Sequence, residues 1–435
     1  MPNNKRIAII GGGVTGLVTA YELSKKNYEI TIYEQGSTLG GLLSGTTIEN
    51  HPIERAYHHA FTTDEYTIQL TSELGLSNDL VWYPGSNAIH FNNRKYPFNG
   101  ALDLLKFTPL SFFDRIRTGI VILYLSYTRS WKKLSSKTAA DWLKKWSGMD
   151  AYRIIWRPLL QGKFHDYYKD VSMAWFWARI HTRANSRGKS EELGYFKSGF
   201  STLIDSLVKS LTERNVIIKT STPVNKITST PSGFSITCGA LIEHFDYVVC
   251  TIPTSVFARL TTGINALSDY TNQLHSITYL DAVCLIFSTP QKLSNYYWTS
   301  IHDTNIPFVV CINHTQFVPT SWFGNRQVYY LANYFPQNHP ILGTSDKTLR
   351  DQWFNHLLEI YPQFDRSVVR EITVTRLKNA QHIPFPSYEN IVPTYATPVK
   401  NLYLSHFSQI FPEDRGVNFA IREGLKIAKT ISESE

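Results

Sequence analysis

The 435-residue sequence contains few cysteines and no long hydrophobic run. Its four cysteines, Cys238, Cys250, Cys284 and Cys311, have no CxxC spacing, and each lies in an apolar, strand-like stretch. This placement favours buried thiols over disulfides or metal ligands, and it indicates a reducing, cytoplasmic compartment. Because no His/Cys cluster has metal-ligand spacing either, we expect no metal site.

Membrane-spanning and exported classes are also disfavoured. A spanning helix needs about 20 apolar residues, and no stretch reaches that length. The N-terminal sequence "MPNNKRIAII" has a polar start and too short an apolar run for a signal peptide. The net charge of +8 is compatible with an anionic ligand or surface, but the Lys and Arg residues are dispersed and form no nucleic-acid-binding motif, so we expect no nucleic-acid partner.

The composition is that of a folded protein: 43% of residues are hydrophobic, and Gly and Pro are spread along the chain. A chain of this length exceeds what one hydrophobic core usually supports, so we expect two domains. Residues 5–34 have the pattern strand, tight turn, helix, strand, with the apolar run Ile7–Ile10 typical of a parallel strand buried on both faces.

A glycine-rich turn joins the first strand to the helix. Gly11, Gly13 and Gly16 form G-x-G-x-x-G, and Val14 and Thr15 begin the helix. The first glycine permits the tight turn, the second lets a diphosphate approach the backbone, and the third lets the helix pack against the strand. Glu34 ends the second strand, where its carboxylate can accept hydrogen bonds from ribose hydroxyls, so a dinucleotide without a 2′-phosphate is expected.

The residues after Glu34 distinguish between dinucleotides. Gln35 follows it, and the pair Gly40-Gly41 comes six residues after the glutamate. This spacing resembles the extended fingerprint of the flavin amine oxidase superfamily, which includes protoporphyrinogen oxidases and phytoene desaturases and, more distantly, UDP-galactopyranose mutases. The resemblance implies FAD, with the glycine pair close to its diphosphate. Leu42 stands where the family usually has an arginine.

Two later segments carry the same resemblance. "TPVNKI" followed by "FDYVVCTIP" is similar to the family's second FAD segment, which places the backbone at Val224 beside the adenine. "YLSHFSQIFPEDRGVNFAIREG" is similar to the C-terminal segment, where Gly416 and Val417 open a helix toward the flavin. Ser405-His406 replaces the usual Gly-Asp or Gly-Glu, so that acid's contact is not implied here.

The resemblance implies an α/β fold with a doubly wound, Rossmann-type FAD-binding domain built from residues 1–85, 195–255 and 390–435. The remaining segments, 86–194 and 256–389, are expected to form a discontinuous α+β substrate domain with a helical insertion.

The function that the resemblance implies is FAD-dependent oxidation, in which a hydride leaves a C–N or C–C bond of an apolar or amphipathic small molecule. The sequence has no second G-x-G-x-x-G for NADPH, so electrons are expected to come from the substrate. Two alternatives stay open: a non-redox flavin enzyme resembling UDP-galactopyranose mutase, and a non-catalytic protein that retains FAD.

Three catalytic and three substrate-binding candidates follow. The resemblance brings the stretch containing His58 and His59 to the flavin ring, which implies a role there for one of the two; a hydrogen-bonded structural histidine is the alternative. The position of Lys163 is similar to that of the amine oxidase lysine, and a solvated or salt-bridged lysine is the alternative. Arg157, Trp177 and Arg179 lie in the expected substrate domain and offer aromatic surface with guanidinium groups, which suits a ligand with apolar and anionic ends. A core aromatic cluster with a cationic solvent face is the alternative for this stretch.

The stretch 112–133 allows two interpretations. Residues 116–127 are apolar on every face and are flanked by Arg and Lys, as in an interfacial anchor at a membrane surface. A core helix is the favoured alternative, because globular cores supply apolar runs of about 12 residues. The expected location is the cytoplasm, either free or at the inner face of a membrane, and the sequence does not specify an oligomeric state.

Overall fold

The computed structural model describes residues 4–184 and 192–433. Within them the strands are β1 Lys5–Ile10, β2 Tyr28–Tyr33, β3 Gly45–Ile48, β4 His51–Glu54, β5 Ala60–Phe61, β6 Leu80–Pro84, β7 Asn87–Phe91, β8 Arg94–Pro97, β9 Glu192–Phe196, β10 Ile217–Lys219, β11 Lys226–Thr230, β12 Gly233–Cys238, β13 Leu241–Phe245, β14 Tyr247–Cys250, β15 Tyr279–Thr289, β16 Trp298–Ile301, β17 Val310–Asn313, β18 Gln327–Pro336, β19 Arg370–His382 and β20 Leu402–Leu404.

The α-helices of the same residues are α1 Val14–Leu23, α2 Glu65–Glu73, α3 Ala101–Leu105, α4 Phe112–Tyr127, α5 Lys132–Ser135, α6 Ala139–Ser147, α7 Met149–Ala151, α8 Arg157–Phe164, α9 Met173–Ala184, α10 Ser201–Glu213, α11 Thr254–Leu260, α12 Ser268–His275, α13 Asp346–Ile360 and α14 Val417–Glu433. None of these helices is both long and apolar enough to cross a membrane.

A five-stranded parallel sheet has the order β10-β2-β1-β14-β20. At its carboxyl edge Ile10 pairs with Tyr33 on one side and with Cys250 on the other. Helix α1 packs against α10 and α14 on one face of the sheet, and the buried run Ile7–Ile10 lies between this layer and a second core on the other face, as parallel sheets require. This architecture confirms the expected Rossmann-type α/β fold.

The strands of this sheet come from three separated stretches of the chain, and each stretch lies within one segment of the expected FAD-binding domain. Residues 256–277, which were expected in the substrate domain, lie instead with the FAD-binding domain. They form most of α11 and all of α12, and their apolar residues Phe257, Leu260 and Tyr270 share a core with Ala8 and Ile10 of β1. These helices therefore pack with the parallel sheet, and the substrate-domain strands begin only at β15.

A second sheet of seven strands has the order β19-β15-β18-β17-β16-β7-β8, antiparallel except between β16 and β7. Its side chains alternate between two faces. Leu285 and Leu331 pack with α13 on the outer face, whereas Cys284 and Tyr330 pack into the core that contains α1. The inner face thus lies toward the nucleotide-binding unit.

The helices from α3 to α9 form the expected helical insertion, with a core of their own around Leu143, Trp156 and Trp175. This core also includes Leu280 of β15 and Ile383, which joins the insertion to one end of the second sheet.

Candidate functional site

The turn after β1 is shaped by two glycines with no room for a side chain. Gly11 has φ +113°, a conformation that L-residues rarely adopt, and its N–H donates to the carbonyl of Tyr33 at 2.8 Å. A Cβ on Gly16 would lie 2.1 Å from the Gly11 carbonyl oxygen. Gly11 is therefore required by its backbone conformation, and Gly16 by the close packing of α1 on the strand end.

Glu34 is fixed at the carboxyl end of β2. Its carboxylate accepts hydrogen bonds from the N–H groups of Gly12 at 2.8 Å and Gly36 at 2.7 Å, and its own carbonyl accepts one from Thr222 at 2.9 Å. The carboxylate is thus held beside the glycine-rich turn, and the segment that continues to Val224 runs next to it.

Gly13 differs from its neighbours because the protein itself does not require a glycine there. Its backbone is extended at φ −76°, and a Cβ would meet only the Cα of Gly41, at 3.9 Å. Gly13 forms a parallel bridge with Gly40, and the N–H of Gly40 donates to the Gly12 carbonyl at 2.8 Å. The two glycine segments predicted from the sequence therefore lie together at the N-terminus of α1, with open space in front of Gly13.

The C-terminal segment reaches the same place. The Thr15 hydroxyl donates to the Ala420 carbonyl at 3.1 Å, which ties α1 to α14. Gly416 precedes Val417, the first residue of α14, and a Cβ on Gly416 would meet nothing within 4 Å. Among the remaining predicted cofactor contacts, Val14 is buried, Leu42 and Val224 are half-buried and Gln35 is exposed.

Ahead of Gly416, Asp414 gathers three partners from the helical insertion. Lys163 Nζ and Arg179 Nη1 each lie 3.0 Å from Asp414 Oδ2, and the Trp175 indole donates to Oδ1 at 3.4 Å. Burial opposes ionisation of Asp414, but Lys163 and Arg179 outweigh it and lower its pKa to about 2. The carboxylate therefore stays ionised and links α8 and α9 to the start of α14.

Arg415 points toward the second sheet. Its guanidinium donates to the Tyr334 hydroxyl at 2.9 Å and to Gln381 Oε1 at 3.1 Å. Burial opposes ionisation of Tyr334, yet the nearby cations Arg415 and Lys163 outweigh it and lower the pKa of this phenol. Lys163, Arg179 and Arg415, with the single carboxylate of Asp414, are hereafter the cation cluster.

The two adjacent histidines diverge. His58 Nδ1 lies 2.7 Å from the Ala56 carbonyl oxygen, and burial, together with the positive charge of Arg415, lowers the pKa of His58 to about 4. His59 instead lies in an aromatic group, with Nδ1 2.9 Å from the Tyr297 hydroxyl. Only His58 is therefore on the side of the cation cluster.

The three predicted substrate-binding residues also lie in different places. Arg179 belongs to the cation cluster, but the Trp177 indole donates to the Thr128 carbonyl at 2.9 Å, on the opposite side of α9. Arg157 lies over the ring of Tyr168, 5.5 Å from its centroid. Trp175, one turn before Arg179, is the tryptophan that contacts Asp414.

Asp414, Arg415 and Tyr334 were not selected from the sequence. The signal available was that Asp414 and Arg415 directly precede the glycine of the predicted C-terminal FAD segment.

Comparison with known proteins identifies the family. The model of the flavin containing amine oxidoreductases matches residues 14–431, so the chain belongs to this family. It is 23% identical over 326 residues to the coproporphyrinogen III oxidase of Staphylococcus aureus, an alignment that covers 64% of this chain and 67% of that protein. Alignments to other curated relatives span from 15% to 64% of those proteins.

Solved structures share the whole fold. A putative protoporphyrinogen oxidase from Exiguobacterium sp. 255-15 superposes with a TM-score of 0.79 at 18% identity, covering 99% of both chains. A reduced UDP-galactopyranose mutase gives a TM-score of 0.77 at 15% identity, covering 99% of this chain and 96% of the other. At these identities the likeness concerns the fold alone.

The residues present fit FAD. The open space in front of Gly13, the carboxylate of Glu34 beside the turn and the unobstructed Gly416 leave backbone N–H groups and an acid available to a dinucleotide. The family match confirms FAD as the cofactor and a flavin-dependent oxidoreductase as the class of enzyme.

Proposed function

We propose that the enzyme oxidises a C–N or C–C bond of an amphipathic substrate that carries an anionic group, and that the cation cluster binds this group. The observation that carries the proposal is the charge imbalance of the cluster. Lys163, Arg179 and Arg415 surround one carboxylate, so two positive charges remain without a carboxylate partner within the cluster. Such an excess in a partly buried site favours an anionic ligand.

The roles proposed for the side chains follow from their contacts. Asp414 holds Lys163 and Arg179 in position, and Tyr334 and Gln381 hold Arg415. Tyr57, a half-buried residue that packs on Tyr330 of the inner sheet face, offers an aromatic surface for the rest of the substrate. Bound FAD supplies the hydride acceptor, so these side chains need only bind and orient.

His58 is proposed to accept the proton that the substrate loses together with its hydride. Since Nδ1 donates to the Ala56 carbonyl and the pKa is about 4, the ring is neutral at pH 7 and Nε2 carries the lone pair. Lys163, predicted as catalytic, is in this proposal one cation of the cluster, held in place by its ion pair with Asp414.

Anaerobic mixing of the purified protein with candidate substrates tests the proposal. We expect coproporphyrinogen III, whose carboxylates are anionic, to bleach the flavin absorbance, whereas cyclohexylamine, a cation at neutral pH, does not. Bleaching by the amine alone would contradict an anionic substrate.

Two matched variants test the role of the cluster. Arg179→Gln removes one charged contact, so kcat/KM for the anionic substrate should fall by about tenfold or more. Arg153→Gln is the control, because Arg153 is exposed on the same insertion and pairs only locally with Asp150. Equal losses in the two variants would refute the assignment.

A mutase is the second candidate, because the same cations suit the diphosphate of a sugar nucleotide. Turnover of UDP-galactopyranose only after prior flavin reduction would favour it. A bound flavin that neither substrates nor dithionite reduce would instead favour the non-catalytic alternative.

A further inference from the structure

Helix α4 presents apolar side chains to solvent. In its 16 residues only Thr118, Val121 and Leu125 are buried. Phe113 is 82% exposed and Ile120 is 62% exposed. Trp146 of α6 lies beside them, and we call this area the α4 surface; it consists of Phe112, Phe113, Ile116, Ile120, Leu123 and Trp146.

A cluster of exposed large apolar side chains of this kind is typical of an interaction site. Phe112, Phe113, Ile120 and Trp146 line an open groove along it. The sequence favoured a core helix here, but the structure shows a surface helix. Only one narrow stripe of α4 packs against α6 and α9.

Positive charge surrounds the α4 surface. Residues 101–150 contain nine Lys and Arg, four Asp and no Glu, so this 50-residue stretch carries +5 of the chain's +8. The guanidinium groups of Arg115 and Arg117 donate to backbone carbonyls of Leu105, Lys145 and Trp146. These bonds orient the cations around the apolar side chains without neutralising them.

We propose that the α4 surface docks on an anionic lipid bilayer, with α4 lying in the interface plane. A helix of 16 residues is about 24 Å long, and the combination of exposed Phe, Ile and Trp side chains with a basic rim suits the boundary between headgroups and acyl chains. The occupant is a bilayer rather than a second copy of the chain, because apposing two such surfaces brings two basic rims together.

Docking there places the bilayer next to the candidate site. The end of α4 is bonded to α9 through Trp177 to Thr128 and through His181 to Ser126, at 2.9 and 3.0 Å. Helix α9 also carries Trp175 and Arg179 of the candidate site. One helix thus separates the α4 surface from the cation cluster.

Vesicle flotation of the purified full-length holoprotein tests the proposal and needs no turnover. We expect binding to vesicles of equimolar phosphatidylcholine and phosphatidylglycerol, weakened by high salt, and little binding to phosphatidylcholine alone. Absence of binding to the anionic vesicles, or equal binding to both, would overturn it.

The double variant Phe113→Ser/Ile120→Ser should lower partitioning by at least about tenfold, because both side chains lose burial in the bilayer. Leu241→Ser/Ile242→Ser is the control, since these residues are 46% and 59% exposed on β13 of the nucleotide-binding unit. Equal losses in both double variants would contradict the proposal.

Light scattering distinguishes a bilayer from a second copy of the chain as the occupant of the α4 surface. A concentration-dependent dimer that the Phe113→Ser/Ile120→Ser variant abolishes would assign the α4 surface to a second copy of the chain and overturn the membrane assignment. A wild type that stays monomeric while it floats with anionic vesicles supports it.

Discussion

At the scale of single residues, the glycines of the nucleotide turn are required for different reasons. No larger residue can replace Gly16 in this fold, because a Cβ there would overlap the Gly11 carbonyl. Gly13 meets no such obstacle, with its nearest contact at 3.9 Å. The reason for a glycine at 13 is therefore the approach of the cofactor's diphosphate.

Gly13→Val should consequently abolish flavin retention without unfolding the protein. Absorbance at the flavin band relative to protein absorbance measures retention, and thermal unfolding of the two apoproteins measures stability. Gly100→Val is the control, since Gly100 is extended and its Cβ would also meet nothing within 4 Å. A Gly13→Val protein that stays fully yellow would refute the placement of the cofactor's diphosphate against Gly13.

The residue-scale features predictable from sequence were those fixed by local spacing. The turn glycines and Glu34 lie within 24 residues, so a short motif determines their arrangement. The partner of Arg179 was not predictable in this way, because Asp414 is 235 residues away. Helical periodicity does favour Trp175 over Trp177, since residues four apart share a face and residues two apart do not.

At the scale of elements, α1 and α14 pack with little space between them. A Cβ on Gly424 would lie 2.8 Å from the Val18 Cβ and 2.9 Å from the Thr15 carbonyl oxygen. The Thr19 hydroxyl donates to the Thr15 carbonyl, within α1. The contact brings the C-terminal FAD segment against the glycine-rich turn.

Gly424→Val should therefore destabilise the protein by about 1–3 kcal/mol, because the new side chain forces the two helices apart. Chemical denaturation of the apoprotein measures this free energy of unfolding. Lys429→Val places the same side chain at an exposed position of α14 and should change it by less than about 0.5 kcal/mol. Similar losses in both variants would argue against close packing at Gly424.

Element type was predictable where periodicity was clear, as in β1, α1 and β18. Exposure of α4 was not, because a run that is apolar on every face has no pattern to indicate which side packs. The placement of α11 and α12 was equally hidden, since it depends on contacts with β1 across more than 240 residues.

At the scale of the whole molecule, the site forms where three parts of the chain meet. The parallel sheet supplies the dinucleotide turn, the helical insertion supplies Lys163 and Arg179, and the inner face of the second sheet supplies Tyr334. The residues just before α14 contact the insertion through Asp414 and the second sheet through Arg415, and α14 itself is bonded to α1 beside the turn.

The measurement that tests the account most directly is the identity of the nucleotide released when the purified protein is denatured. Chromatography against FAD, FMN and NAD standards identifies it, and absorbance gives its ratio to protein. We expect FAD, at one molecule per chain after reconstitution of any apoprotein. Release of NAD, or a colourless protein that FAD fails to reconstitute, would contradict the account.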